Sequence, residues 1–277
     1  MRTAEWINTV SFSFLLILAW RRRLDPARRT KIILLGLSGL VLTAISAAAL
    51  PRVLPRLAAS VSRDWLPYLL LLLFYWQAGQ FFTGPNVAAE CWLEQLDRRL
   101  LGSALAASTR GRTGKWISTT LELAYLFCYP SLPAGLAALY VMHRGAEADH
   151  FWAVVLVSTY ICYAAVPFVQ TRPPRMLTQP DSLVPRQGEV RRLNLFVLRH
   201  ASIQVNTFPS AHVAGSTACA LVMLQSAPSI GLIFLALAVC IALGAVAGRY
   251  HYAADVILGA LVAVAALLVV GFAGPAL

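Results

Sequence analysis

Long apolar runs dominate this chain so strongly that the solvent it folds in has to be lipid. Seven stretches, Ile32–Leu50, Trp65–Phe82, Trp116–Met142, Phe151–Val169, Phe208–Leu224, Ile230–Ala247 and Tyr252–Phe272, reach or approach the roughly 20 residues that cross a bilayer. Backbone in hydrocarbon must satisfy its own hydrogen bonds, so each run is expected to be a helix. Composition agrees: 58% of the 277 residues are hydrophobic and 13% charged, where a soluble domain carries about 45–50% and 25%. An eighth run, Trp6–Trp20, is short and ends at Arg21-Arg22-Arg23. No small-residue cleavage site precedes those arginines, which argues against a cleaved signal peptide. A short span and an interfacial anchor both fit this run. The expected fold is all-α, a polytopic transmembrane bundle of seven or eight helices.

Between Phe82 and Trp116, the stretch Glu90–Leu101 places Trp92, Leu93, Leu96, Leu100 and Leu101 at helical spacing, with charges on the other face. That pattern predicts an amphipathic helix lying in the interface. The longest loop, Thr171–Thr207, carries six arginines and several prolines and is too polar to cross. Alternating spans put this loop, Arg249–His251, the amphipathic segment and Arg21–Lys31 on one face. Pro51–Asp64 and His143–His150 fall on the other.

The net charge is +11. Its basic residues sit in loops with no aromatic interleaving, which sets nucleic acid aside and favours anionic lipid headgroups and a phosphate-bearing lipid as partners. The five cysteines show no CxxC or Cys/His metal spacing, so they are expected to act as small apolar side chains. No metal and no cofactor is called for.

Three short stretches at span ends carry chemistry. In Gly248-Arg-Tyr-His-Tyr-Ala-Ala-Asp255, His251 and Asp255 are four apart and share a helix face. A carboxylate beside an imidazole fixes its tautomer and frees the other nitrogen to attack phosphorus. Arg249 is placed to clamp phosphate oxygens. In Asn206-Thr-Phe-Pro-Ser-Ala-His212, Ser210 is a natural N-cap, the helix N-terminus suits an anion, and His212 stands where it can protonate a leaving alkoxide. In Thr171-Arg-Pro-Pro-Arg175, two prolines hold the chain extended so that Arg172 and Arg175 can share a site. Singly, each stretch also reads as a capped helix or as snorkelling arginines. Together they supply the inventory of phosphoryl transfer: nucleophile, acid, orienting carboxylate and positive charge.

At these residues the chain resembles the type 2 phosphatidic acid phosphatase superfamily, which includes vanadium haloperoxidases. Its pattern is a lysine followed after six residues by Arg-Pro, then Pro-Ser-Gly-His, then Arg…His-x-x-x-Asp. The resemblance runs from about Trp65 to Phe272. It implies a six-helix core at 65–277 and an N-terminal membrane extension at 1–64, with one or two added helices. It further implies His251 as a nucleophile that becomes phosphohistidine, Asp255 as its partner, His212 as acid and then base, and Ser210, Arg249 and Arg172 as phosphate cradle. Three positions depart from it. Ala165 stands where the lysine belongs, with Arg175 a candidate substitute. Ala211 replaces the glycine but keeps its N–H. Arg249 lies two residues before His251, where the common pattern has six.

That closer arginine, and Leu96–Gly102, resemble the sphingolipid synthase branch, including inositol-phosphorylceramide synthases. The function expected is therefore a lipid phosphate phosphatase. A phosphotransferase and a non-enzymatic membrane protein are the alternatives. The expected location is a bacterial plasma (inner) membrane. The side is contested: the site face carries 17 loop Lys and Arg against 4 opposite, which marks it cytoplasmic, whereas the resemblance implies the outer side.

Overall fold

The computed structural model describes residues 1–101, 111–177 and 188–272, with side chains from 114 onward in the second segment. Residues 102–110, 178–187 of the arginine-rich loop, and the end at 273–277 lie outside the described residues. Twelve α-helices occur among the described residues. They are α1 (Thr3–Arg21), α2 (Pro26–Ala44), α3 (Leu50–Val53), α4 (Arg56–Gly79), α5 (Val87–Leu101), α6 (Gly111–Leu126), α7 (Cys128–Val141), α8 (Ala148–Ala164), α9 (Glu189–Ala201), α10 (Ala211–Ser226), α11 (Pro228–Ala247) and α12 (Ala253–Phe272). A π-helical turn, Ile45–Ala49, joins α2 to α3. The chain is all-α, and no strand occurs among the described residues.

Five segments are long and apolar enough to cross a membrane: Thr3–Arg21, Pro26–Val53, Arg56–Gly79, Pro228–Ala247 and Ala253–Phe272. The protein is a multi-pass integral membrane protein. Trp116–Met142, expected as one span, is broken into α6 and α7 with a 59° bend. Pro130 is the cause. It has no N–H to offer the Leu126 carbonyl, and its ring collides with that oxygen.

Two shorter helices form the centre. Most of α8 from Phe151 to Tyr163 is buried, the mark of a helix with no solvent face. Beside it, α10 packs against α7, α8, α11 and α12 through Ala211, Ala214, Gly215, Ala218 and Ala220. Such small residues let backbones approach closely. At 16 residues, α10 is about 24 Å long, short of the roughly 30 Å hydrocarbon layer. Its far end is tied to the opposite face, where the Ser226 hydroxyl donates to Glu147. Its near end, the Ser210–His212 motif, is therefore recessed below the first face.

The N-terminal run crosses the bundle. Thr3 and Ala4 donate their N–H groups to Asp149 at 2.9 and 3.0 Å, while at the other end Arg22 lies 4.9 Å over the Phe168 ring. These contacts bracket α8, so α1 runs parallel to it. Phe12, Leu15 and Ala19 are fully buried in the main core, and Phe12 meets Phe74 edge-on at 5.4 Å.

Gly259 lets α12 touch the start of α10. A Cβ there would sit 2.5 Å from the Ser210 carbonyl oxygen, and backbone cannot yield as a side chain can. Gly259→Ala is expected to destabilise by about 2 kcal/mol and to lower activity in parallel. An unchanged melting temperature in detergent would contradict this contact.

Candidate active site

Three irregular segments converge at one end of α8, α10 and α12. Asn206 pairs with Thr171 in an isolated bridge, its N–H donating to the Thr171 carbonyl at 2.9 Å and its amide to the Thr171 hydroxyl at 3.2 Å. Arg175 donates its N–H to the Arg249 carbonyl at 2.8 Å, and Ser210 donates its N–H to the Asp255 carbonyl at 2.9 Å. Non-helical backbone at membrane depth is tolerated only when protein satisfies it in this way.

Local chemistry shapes each motif. Ser210 caps α10 by accepting from the Val213 N–H at 3.4 Å, and Thr207 accepts the Ala211 N–H at 3.2 Å. Both helix-terminal donors are thus engaged from within the protein. His212 stands in the first turn beyond them. Ahead of α12, Arg249 adopts a left-handed φ of 59°. Asp255 reaches back to accept from the Tyr252 N–H at 3.1 Å.

The two histidines and the aspartate form one chain. His251 Nδ1 lies 3.3 Å from Asp255 Oδ2, and His251 Nε2 lies 3.2 Å from His212 Nδ1. A carboxylate at Nδ1 draws the proton there and leaves Nε2 bare as an acceptor. Burial, with the charge of Arg175 added, holds His251 below its usual range, which favours the neutral imidazole. Tyr125 and Tyr129, brought in by the α6–α7 bend, flank His212 with ring centroids 5.7 and 5.8 Å away.

The arginines separate into two kinds. Arg172 is locked to Glu90 by two guanidinium hydrogen bonds of 3.0 and 2.8 Å, and its N–H donates to the same carboxylate at 2.7 Å. Burial alone would raise the Glu90 carboxyl; the Arg172 hydrogen bonds outweigh it and hold the carboxyl below its usual range. Arg249 faces Glu94 at 3.7 Å. Arg175 forms no ion pair among the described residues. Its guanidinium lies 5.8 Å over the Tyr250 ring, and its charge acts on both histidines.

Helix α5 differs from expectation. Its charges divide: Glu90 and Asp97 are buried, while Arg98 and Arg99 are exposed along with Trp92 and Leu100. Glu90, Glu94 and Asp97 form an acidic seam that faces Arg172 and Arg249, and Asp97 Oδ1 accepts the Ala253 N–H at 2.8 Å. Burial raises the Asp97 carboxyl to about 6, against the pull of that N–H and of Arg249.

Sequence reasoning missed a second support. Glu122 on α6 accepts from Arg191 at 2.6 Å, from the Asn194 amide at 2.7 Å and from the Tyr250 hydroxyl at 2.5 Å, while Arg191 also donates to the Gly248 carbonyl at 3.2 Å. The Arg249–His251 loop hangs from this network. A signal existed: Glu122 is a lone acid inside an apolar run, which by default marks a site.

A cavity of about 270 Å³ opens beside His212, lined by Tyr75, Tyr129, Leu132, Tyr163, Ala211 and Gly215 among others. It is mostly apolar with several hydroxyls.

The family model described as PAP2 superfamily matches residues 91–269. That interval contains the acidic seam from Glu94 onward, the α6–α7 bend and all three motifs. No curated protein and no solved structure matches the chain. With the family model covering well over half of its length, the chain belongs to the PAP2 superfamily, the type 2 phosphatidic acid phosphatases.

Proposed function

We propose that the protein is a lipid phosphate phosphatase that works through a phosphohistidine on His251. Membership of the superfamily supports a phosphatase-type lipid phosphate function in general. The observation that carries the finer reading is the hydrogen-bonded run His212–His251–Asp255.

Nε2 of neutral His251 attacks phosphorus. The P–N bond forms as the P–O bond to the lipid breaks, and the leaving oxygen takes the electron pair and a proton from His212. His212 first gains that proton from the monoanionic phosphate. In the second half His212 removes a proton from water, the hydroxide oxygen bonds to phosphorus and the P–N bond breaks with its electron pair returning to Nε2; His212 then passes its proton to the departing inorganic phosphate and is neutral again. Asp255 steadies the imidazolium throughout. Arg175 offsets charge on the equatorial oxygens, while Arg172 and Arg249, held by acids, position the loops. The 3.2 Å between the imidazoles leaves no room for phosphorus, so substrate entry turns the His212 ring out of that bond. The adjoining cavity takes the lipid side of the leaving group.

A phosphotransferase is the second reading, favoured by Arg249 lying two residues before His251. Its early steps are identical, and a lipid or polyol hydroxyl replaces water. Purified protein in liposomes is given phosphatidate or an isoprenyl diphosphate labelled in its terminal phosphate. Free phosphate release, with acid-labile, base-stable label on the quenched protein, is expected. Label transferred to an added alcohol without free phosphate would replace the phosphatase with the transferase. No label and no release would remove both.

A further inference from the structure

One concentration of charge stays outside this chemistry. Arg21, Arg22, Arg23, Arg28, Arg29 and Lys31 crowd the turn between α1 and α2. The sole acid among them, Asp25, is committed as the N-cap of α2, accepting from the N–H groups of Ala27 and Arg28 at 3.1 and 3.4 Å. Among the described residues none of the six forms an ion pair. Arg28 and Arg29 donate to the carbonyls of Phe82 and Arg22, and the Arg29 Nε is buried with no acceptor. Like charges left so close together repel one another unless an anion joins them.

A cavity of about 350 Å³ opens at this turn, with Arg21, Arg22 and Arg23 on one side and Thr83 and Gln170 on the other. Trp20 and Phe168, next in sequence to the lining residues Arg21 and Pro167, are 72% and 57% exposed. Exposed aromatic side chains at a span end mark the headgroup level of a bilayer. Snorkelling alone sends each arginine to water by its own route; it does not explain three of them around one cavity.

We infer that this cavity binds the phosphate of an anionic membrane phospholipid as a resident headgroup, separate from the lipid that is turned over. The inference does not depend on the catalytic roles proposed above. The site also has a route to the active centre. Gln170 accepts the Thr83 and Gly84 N–H groups on its side chain at 2.9 and 3.3 Å. Its carbonyl accepts the Asn86 N–H at 2.7 Å, and Asn86 caps α5 by accepting from the Ala89 N–H at 3.1 Å. The helix so anchored carries the acidic seam. A headgroup held beside Gln170 steadies the segment from which Glu90 reaches Arg172.

Free phosphate offers the same anion without acyl chains, so the test separates the two. Native mass spectrometry of the full-length protein in detergent is run with phosphatidylglycerol and phosphatidylcholine, with and without millimolar inorganic phosphate. A preference for phosphatidylglycerol of about five-fold or more is expected, undisturbed by inorganic phosphate. R21Q/R22Q/R23Q should lose it and R21K/R22K/R23K keep it. Leu24→Glu, which sets a carboxylate in the cavity wall, should also lose it and covers failure of the triple variant to purify. Equal retention of the two lipids, or a preference intact in both charge-altering variants, would overturn the inference. Displacement by inorganic phosphate would overturn the lipid assignment and give the cavity to the free ion.

Discussion

Replacing His251 by alanine is expected to lower turnover by at least about 10³-fold while the protein still inserts and folds. The reason is positional. Nε2 of this ring is oriented through Asp255 on its far side, and among the described residues no other imidazole is paired with a carboxylate. Stability should change far less. His251 sits in the loop ahead of α12, and in the variant Asp255 still accepts the Tyr252 N–H. What is lost is two side-chain hydrogen bonds, to Asp255 and to His212, and some packing, about 1–3 kcal/mol. Phosphate release and melting in the same detergent separate the two effects. A folded variant that retains turnover would remove His251 as nucleophile. His212→Ala should also lose turnover, but with a difference. A substrate with an acidic leaving group, such as a nitrophenyl phosphate, should recover part of the rate in His212→Ala, since protonation no longer limits departure. The same substrate should not rescue His251→Ala.

The second large effect distinguishes the arginines. Arg175→Ala should cost about 10²–10³-fold in kcat with little change in melting, because Arg175 makes no ion pair among the described residues and its charge reaches both imidazoles. Arg172→Ala should act mainly on stability, since it leaves the buried Glu90 carboxylate without its guanidinium. Adding Glu90→Gln to that variant should restore part of the lost melting temperature, a coupling that a double-mutant cycle reads directly. Should Arg172→Ala lose more kcat than Arg175→Ala, both remaining folded, the principal phosphate cation would be Arg172.

The acidic seam explains why such a division arises. Motif arginines near a phosphate site repel each other when it is empty. Glu90 and Glu94 lie one helical turn apart on α5, and each faces one arginine of a different motif. Arg172 is thereby locked in place and Arg249 is drawn toward Glu94 at 3.7 Å, while Arg175 forms no ion pair among the described residues. Asp97, a further turn along, supports the N-terminus of α12, where a negative charge is favoured by the helix dipole.

What could be read from residues alone was local or set by the solvent. Apolar runs of span length dictate helices because hydrocarbon offers the backbone no other partner. The His251–Asp255 pair follows from four-residue spacing, and the Ser210 cap from residue type beside a helix start. Even the break near Phe127 was within reach, since Pro130 cannot continue the α6 hydrogen-bond ladder.

Long-range pairing was decided only by the tertiary structure. His212 meets a histidine 39 residues away, and Arg172 meets an acid 82 residues away. No local rule selects those partners. An acid on an amphipathic helix shows the same pattern whether it faces water or another segment's arginine, so the direction of α5 was not legible. The balance of charge at the site depends on that direction, because a guanidinium held by a buried carboxylate and one left without such a partner are identical residues in sequence and different reagents in space.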